Sequence, residues 1–449
     1  MASAQGKSNI GGTLAPPARL DPITRFGFIL IVVVLFSVSG GMLWVLGYNY
    51  DGLTGGAATK IHPATYLTVL IFAWRACMFG NPVGYCVHVT DRRPATALMA
   101  GIAVVVLCFV ILRQRPNMAG LVDTFLGATF LVLMLSEADD RLMESLQKVV
   151  HVIMTLNALL ALAEFSTKIL LFPFRFDGQA FETDLRSSAL QGHPLINAAV
   201  TACYVLALLS GAKALPPGVR LAMIGLQCAA LVAFGGRSAM VVTILLGGSY
   251  GIRQLYETLR RRQISLPGAA IALVAAGLAP LVFGGLFSQG FFDALLSRFV
   301  SDGGSANARV EMFELFKYLS LRDIIVGPEV DFIESLRRLH GLEWGIENPI
   351  IRMTLYQGAF VTLLMTVGFG VFMYEITRRC MPGVWLPMLA WLILINTAEG
   401  IASKTTLMTK FCIIVLSLYH RPSAGTADRL RPAAWSAPRH RRSAGREHE

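Results

Sequence analysis

The sequence predicts an all-α, polytopic membrane protein of about 12 transmembrane helices, with one large, partly helical loop on the non-cytoplasmic side. Three observations predict it. Of 449 residues, 54% are hydrophobic and only 15% charged, with a mean hydropathy of +0.58, whereas a soluble domain carries charge on roughly a quarter of its residues. The apolar residues fall in blocks of about 17–25, the length a helix needs to cross hydrocarbon. Backbone groups must be satisfied within each segment inside lipid, so such blocks cross as helices.

Residues 1–23 are polar as far as Asp21 and form a cytoplasmic N-terminal segment. Ile23–Gly47 is too long for a secretory h-region and no small-residue cleavage site follows, so it stays as the first helix. Within a transmembrane domain over 24–420, the spans expected are 24–47, 64–80, 95–112, 118–136, 148–172, 193–212, 220–235, 238–252, 267–288, 350–374, 384–398 and 404–420. Only Gly235-Gly236-Arg237 divides the seventh from the eighth; two residues without Cβ permit a tight reversal there.

Charge sets the orientation. With both termini cytoplasmic, Arg92/Arg93, Arg141/Lys148, Lys213/Arg220, Arg253 with Arg260–Arg262, Arg378/Arg379 and the basic tail all fall inside. Arg113 and Arg115 fall outside, against the rule. The net charge of +11 is thus a loop-by-loop bias of a multi-pass inner-membrane protein in its lipid bilayer, and not a basic face for nucleic acid. The tail, 421–449, holds seven arginines among Pro, Ala and Ser and reads as a disordered segment near anionic headgroups. The seven cysteines all lie in or beside apolar blocks, which supports neither a disulfide framework nor a metal site.

The longest loop, 289–348, falls outside and holds ten acidic against six basic residues between Asp293 and Glu347. Ser305–Leu319 places Val310, Phe313, Phe316 and Leu319 near one face, so an amphipathic helix is expected before Gly327-Pro328 breaks the chain. Arg75 and Asp123, costly in lipid, are expected to face the bundle interior, and Glu399 and Lys404 to pair on the outer side.

Arg186, Arg237 and Arg309 come from three loops yet share the outer face. Guanidinium groups offer fixed, permanently charged bidentate donors, so three together fit an anionic lipid headgroup such as a diphosphate. The competing reading of each is a snorkelling interface anchor.

Four segments, in order, resemble the O-antigen ligase and Wzy-type polysaccharide polymerase superfamily. Arg186-Ser-Ser-Ala-Leu-Gln-Gly192-His193-Pro194 resembles a family stretch leading into a helix, and Gly236-Arg237-Ser238-Ala239 resembles its S-R-G/S-A helix opening. Asn307-Ala308-Arg309-Val310-Glu311-Met312-Phe313 resembles the start of its large loop, followed by Gly327-Pro328 in place of G-V-G-P. Glu347-Asn348-Pro349 through Gly358 resembles the loop's end. The sequence looks closest to the VpsF-like exopolysaccharide polymerases.

That resemblance implies an enzyme joining polyprenyl-diphosphate-linked oligosaccharide units at the periplasmic face, with no cofactor and no metal. The lipid-linked glycan is both donor and acceptor, and a flippase and chain-length or export proteins are the implied partners. Arg186, Arg237 and Arg309, with His193 and Asn348, would bind the diphosphate substrate, helix capping being the competing reading of His193. Where the family carries His before the Asn, this chain has Glu347; Glu347 or His340 would then be the catalytic base. A ligase acting on another acceptor keeps the same fold. A transporter predicts symmetry-related halves, which the sequence lacks, and a non-catalytic export subunit predicts indifference to loss of the outer arginines.

Overall fold

The computed structural model describes residues 20–52, 56–176, 179–180, 186–212, 214–261, 277, 284, 287–288, 305–342, 345–346, 348–397 and 400–421. Its helices are, in order, α1 (Pro22–Ser37), α2 (Pro63–Met78), α3 (Pro82–Arg92), α4 (Pro94–Leu112), α5 (Met118–Glu137), α6 (Asp140–Thr167), α7 (Pro194–Ser210), α8 (Pro217–Phe234) and α9 (Arg237–Arg261). Then come α10 (Ser305–Glu314), α11 (Leu321–Val326), α12 (Val330–Leu339), α13 (Pro349–Gln357), α14 (Ala359–Arg379), α15 (Trp385–Leu394) and α16 (Leu407–Leu418). Among the described residues the only strands are an antiparallel pair of two residues each, Arg175–Phe176 with Gln179–Ala180.

Many starts share one device, a side-chain cap followed by proline. Asp21, His62, Asn81, His193 and Asn348 each accept a backbone N–H from the first turn, and Pro occupies the next position. The fixed φ of Pro suits that turn and its missing N–H costs nothing there.

Among the described residues, five helices are long and apolar enough to cross a membrane: α4, α5, α6, α8 and α14. The α2–α3 pair makes a sixth if taken as one span, although it bends by 112°. Helices α1, α7, α15 and α16 are apolar but shorter. The chain is thus a multi-pass, helical membrane protein. The expected span at 267–288 lies almost wholly outside the described residues, as does the tail beyond Arg421.

Several expected boundaries move for local reasons. The span expected at 24–47 ends at Ser37, and a short helix, Gly40–Val45, follows under a Ser39 cap. Helix α6 begins eight residues before its expected start of 148, because Asp139 caps Leu142 N–H at 2.9 Å. The span expected at 350–374 breaks at Gly358, whose φ is +90°. Gly235, at φ +64°, ends α8 and Arg237 opens α9, so the helix breaks at the paired glycines.

Contacts sort the loops onto two ends. At one end Arg75, 4% exposed, meets Glu137 at 3.0 Å and Asp21 at 3.3 Å, while His420 meets Asp140 at 2.8 Å. At the other, Tyr50 donates to Asp123 at 2.9 Å, Gln191 to Phe36 O at 2.9 Å and Asn117 to Ala402 O at 2.9 Å. Arg75 and Asp123, the two charges expected to face the bundle interior, are both buried there.

Helix α10 forms where the amphipathic pattern predicts, but on a different face. Met312 and Leu315 are buried, with Phe316 and Leu319 packed beside them, while Val310 and Phe313 stay exposed. The buried pair joins Ile333, Leu336, Leu342, Ile346, Ile351 and Leu355 in a second core separate from the main bundle core. Helices α10, α12 and α13 therefore form a small packed unit, and the partner helices, invisible to periodicity within α10, choose its buried face.

Candidate functional site

Arg186 leads a loop held from beneath by a buried carboxylate. Glu164, in the last turn of α6 and 2% exposed, accepts Ser187 O–H at 2.5 Å, Ser188 N–H at 3.1 Å and Ala189 N–H at 2.9 Å, while its second oxygen takes Leu171 N–H at 2.9 Å. Asn157 accepts Leu190 N–H at 3.0 Å and donates to Asn197, which donates to Ser188 O at 2.7 Å. A loop that must satisfy its backbone at the membrane surface does so through these three polar side chains. None was singled out by sequence reading. A Glu in the last turn of a long apolar helix, where the dipole disfavours it, is the signal that marks it.

The same loop adjoins the helix reversal that carries Arg237. Ser187 N–H donates to Ala233 O at 3.3 Å, and a Cβ at Gly236 would stand 2.4 Å from that of Ala198. Arg186 and Arg237 thus flank one junction, both half-buried. His193 caps α7 through Nδ1, which accepts Leu195 N–H at 3.1 Å, and its ring meets Phe174 edge-on at 4.4 Å. Its structural task is capping.

Two other segments of the pattern meet each other. Gly327, at φ +91°, and Gly358, at φ +90°, cross back to back: a Cβ at Gly358 would lie 2.5 Å from Ile325 O and 2.6 Å from Gly327 N. No other residue fits either position. Arg115 clamps the crossing, donating to Gly327 O at 2.9 Å, to Tyr356 O at 3.3 Å and to Pro328 O. This gives a physical reason for an arginine that breaks the charge rule: it is committed to carbonyls of the small packed unit. Asn348 caps α13, accepting Ile350 N–H at 3.0 Å and Ile351 N–H at 3.1 Å.

Residues 395–397 and 400–405 tie these parts together. Thr397 donates to Ser238 beside Arg237 at 3.2 Å, and the turn Gly400–Ala402 packs on α13. Arg309 lies in α10, and its side chain is outside what the structure describes. Glu347 is likewise outside the described residues. His340 ends α12 with Nδ1 3.1 Å from Glu311 Oε2 and its ring against Tyr318; its Nε2 is enclosed, with no partner among the described residues.

No protein-family model, no curated protein and no solved structure matches this chain. The site therefore rests on its own chemistry.

A second polar group at the same end escaped sequence reading as a group. Helix α5 carries a π-helical stretch, Leu121–Leu126, which delivers Asp123 to Tyr50 O–H and to His62 N–H at 3.0 Å. His62 Nε2 lies 3.0 Å from Val38 O and its Nδ1 accepts Ala64 N–H at 3.2 Å, the pattern of a neutral imidazole. Burial, with the nearby Lys410 charge, pushes its pKa down to about 4, in keeping with that tautomer. Lys404 donates to Tyr50 O and lies 3.9 Å from the Tyr50 ring centre; the partner expected for it, Glu399, is outside the described residues. Burial pushes the nearby Asp51 carboxyl up to about 6 against the pull of Lys404 and Lys60.

Proposed function

We propose that this protein is an exopolysaccharide polymerase of the bacterial inner membrane, with about twelve spans, both termini cytoplasmic and the loop 289–348 periplasmic. It joins oligosaccharide units carried on polyprenyl diphosphate. One observation supports the reading: the four segments that resemble the polymerase superfamily fall in two neighbouring pairs. Residues 186–194 lie beside the break at 236–239, and 307–328 crosses 348–358 at Gly327 and Gly358. Thr397 touches the first pair and the turn Gly400–Ala402 the second.

In this scheme Arg237 and Arg309, with Arg186 in support, hold the diphosphate of the donor lipid. The acceptor sugar hydroxyl attacks the anomeric carbon. Its oxygen forms the new glycosidic bond, its proton passes to a base, and the carbon–oxygen bond to diphosphate breaks. The electron pair leaves on a phosphate anion, so no general acid is needed, and the arginines stabilise the charge that develops there. Glu347 takes the proton. The enclosed Nε2 of His340 is poorly placed for an incoming hydroxyl, and its Nδ1 is tied to Glu311. His193 and Asn348, whose ring nitrogen and amide oxygen cap helices, fix the loops that present the arginines.

Replacing Glu347 with Gln keeps the size and removes the base; it is expected to lower the rate of chain extension about 100-fold. His340→Gln is expected to lower it less than tenfold. Chain extension followed on lipid-linked units in membranes decides between them: full activity in Glu347→Gln with loss in His340→Gln would transfer the base role to His340.

A further inference from the structure

At the end of the bundle opposite the arginine loops, the end the charge pattern assigns to the cytoplasm, lies a cavity of about 350 Å³. Arg93, Arg378, Arg379 and Arg421 line it with His420 and Ser136, and its lining includes no carboxylate. Arg93 is at the joint between α3 and α4 and only 9% exposed. Its Nε and Nη1 find no hydrogen-bond partner among the described residues, and neither does Ser136 Oγ.

Nearby groups are already committed. Glu375 accepts Thr96 N–H at 2.9 Å and O–H at 2.7 Å, and its other oxygen lies 3.3 Å from Arg379. Asp140 takes His420, and Arg421 donates to Cys380 O at 2.8 Å. Asp91 lines an adjoining opening that shares Arg93, Ser136 and Arg379. Burial, then the charge of Arg379, lowers the Arg93 pKa to about 10, so the group stays cationic at neutral pH. A buried guanidinium with unmatched donors beside a second guanidinium is unfavourable until an anion completes the set.

We propose that this cavity is a binding site for a phosphate-class anion, anchored by the buried donors of Arg93 and rimmed by Arg379 and Arg421. A tetrahedral oxyanion accepts from several guanidinium groups at once, the recognition arginine performs best. The volume is at the small end of ligand sites and admits one headgroup-sized molecule. Two sources share that chemistry, the headgroup of an anionic inner-leaflet lipid and a free phosphate compound. The site is independent of the reaction proposed at the other end.

The test uses the full chain in nanodiscs of phosphatidylcholine, with its thermal unfolding midpoint as the readout. One arm replaces part of the lipid with phosphatidylglycerol; the other adds inorganic phosphate. A saturable rise in one arm is expected: with phosphatidylglycerol alone it identifies a lipid headgroup, and with phosphate in pure phosphatidylcholine a free anion. Arg93→Gln is expected to weaken the response about tenfold or more. Should that variant fail to fold, Arg379→Gln, whose side chain is 44% exposed, gives the same reading. Arg260→Gln, on an exposed part of α9, keeps the full response. No rise in either arm, an undiminished rise in both cavity variants, or equal loss in Arg260→Gln overturns the proposal.

Discussion

Arg237→Lys and Arg309→Lys are each expected to leave the protein inserted in the membrane while polymer falls about 100-fold, the effect of removing one donor aimed at developing charge. Lysine keeps the positive charge and loses the planar fork, so the two substitutions separate diphosphate recognition from mere charge at the interface. An interface anchor tolerates the exchange, because an ammonium snorkels as well as a guanidinium. Polymer measured by gel in cells carrying each variant decides it. Normal amount and chain length in both would remove the arginines from the donor site and favour the non-catalytic subunit.

The second large effect falls on Glu164, which touches no substrate in this account. Glu164→Ala strands three backbone N–H groups and one hydroxyl that the carboxylate now satisfies. Each stranded donor costs roughly 1–3 kcal/mol when buried, so a loss on the order of 4 kcal/mol is expected, together with loss of polymer as the Arg186 loop is released. Glu164→Gln retains one oxygen for the Ser187–Ala189 side and sets an amide N–H against Leu171 N–H, a milder loss of about 1–2 kcal/mol. Thermal unfolding of the purified variants, with limited proteolysis across 168–193, reads both. A wild-type midpoint in Glu164→Ala would show that the loop is held by something else.

Much of the architecture was legible in the sequence, because apolar length is a strong signal and the capped prolines and paired glycines punctuate it. Gly235-Gly236 reads as a helix junction and is one. What escaped depends on contacts distant in sequence. Helix α3 was missed because it holds His88, Asp91 and Arg92 and lies across the end of α2 at 112°. The buried face of α10 was misjudged because α12 and α13 supply its partners. Gly358 breaks the span expected at 350–374, and its reason, the crossing with Gly327, is 31 residues away in the chain.

The site divides in the same way. Arg186, Arg237 and Arg309 were visible as costly charges at loop positions, whereas the supports that hold the Arg186 loop, Glu164, Asn157 and Asn197, read alone as polar residues in helices. His193 and Asn348 were visible as motif members, and the structure gives their local role as caps. Arg115 was visible as an exception to the charge rule; only its clamp on Gly327 and Tyr356 explains the exception.

The most direct test of the central claim is reconstitution. The purified full-length protein is placed in proteoliposomes with single oligosaccharide units on polyprenyl diphosphate, and lipid-linked products are followed by mass spectrometry. The account predicts a ladder of two or more units on one carrier, with free polyprenyl diphosphate released once per bond formed and no ladder in Arg237→Lys. Single units that remain single, while the same protein moves them across the bilayer or onto another acceptor, would contradict it.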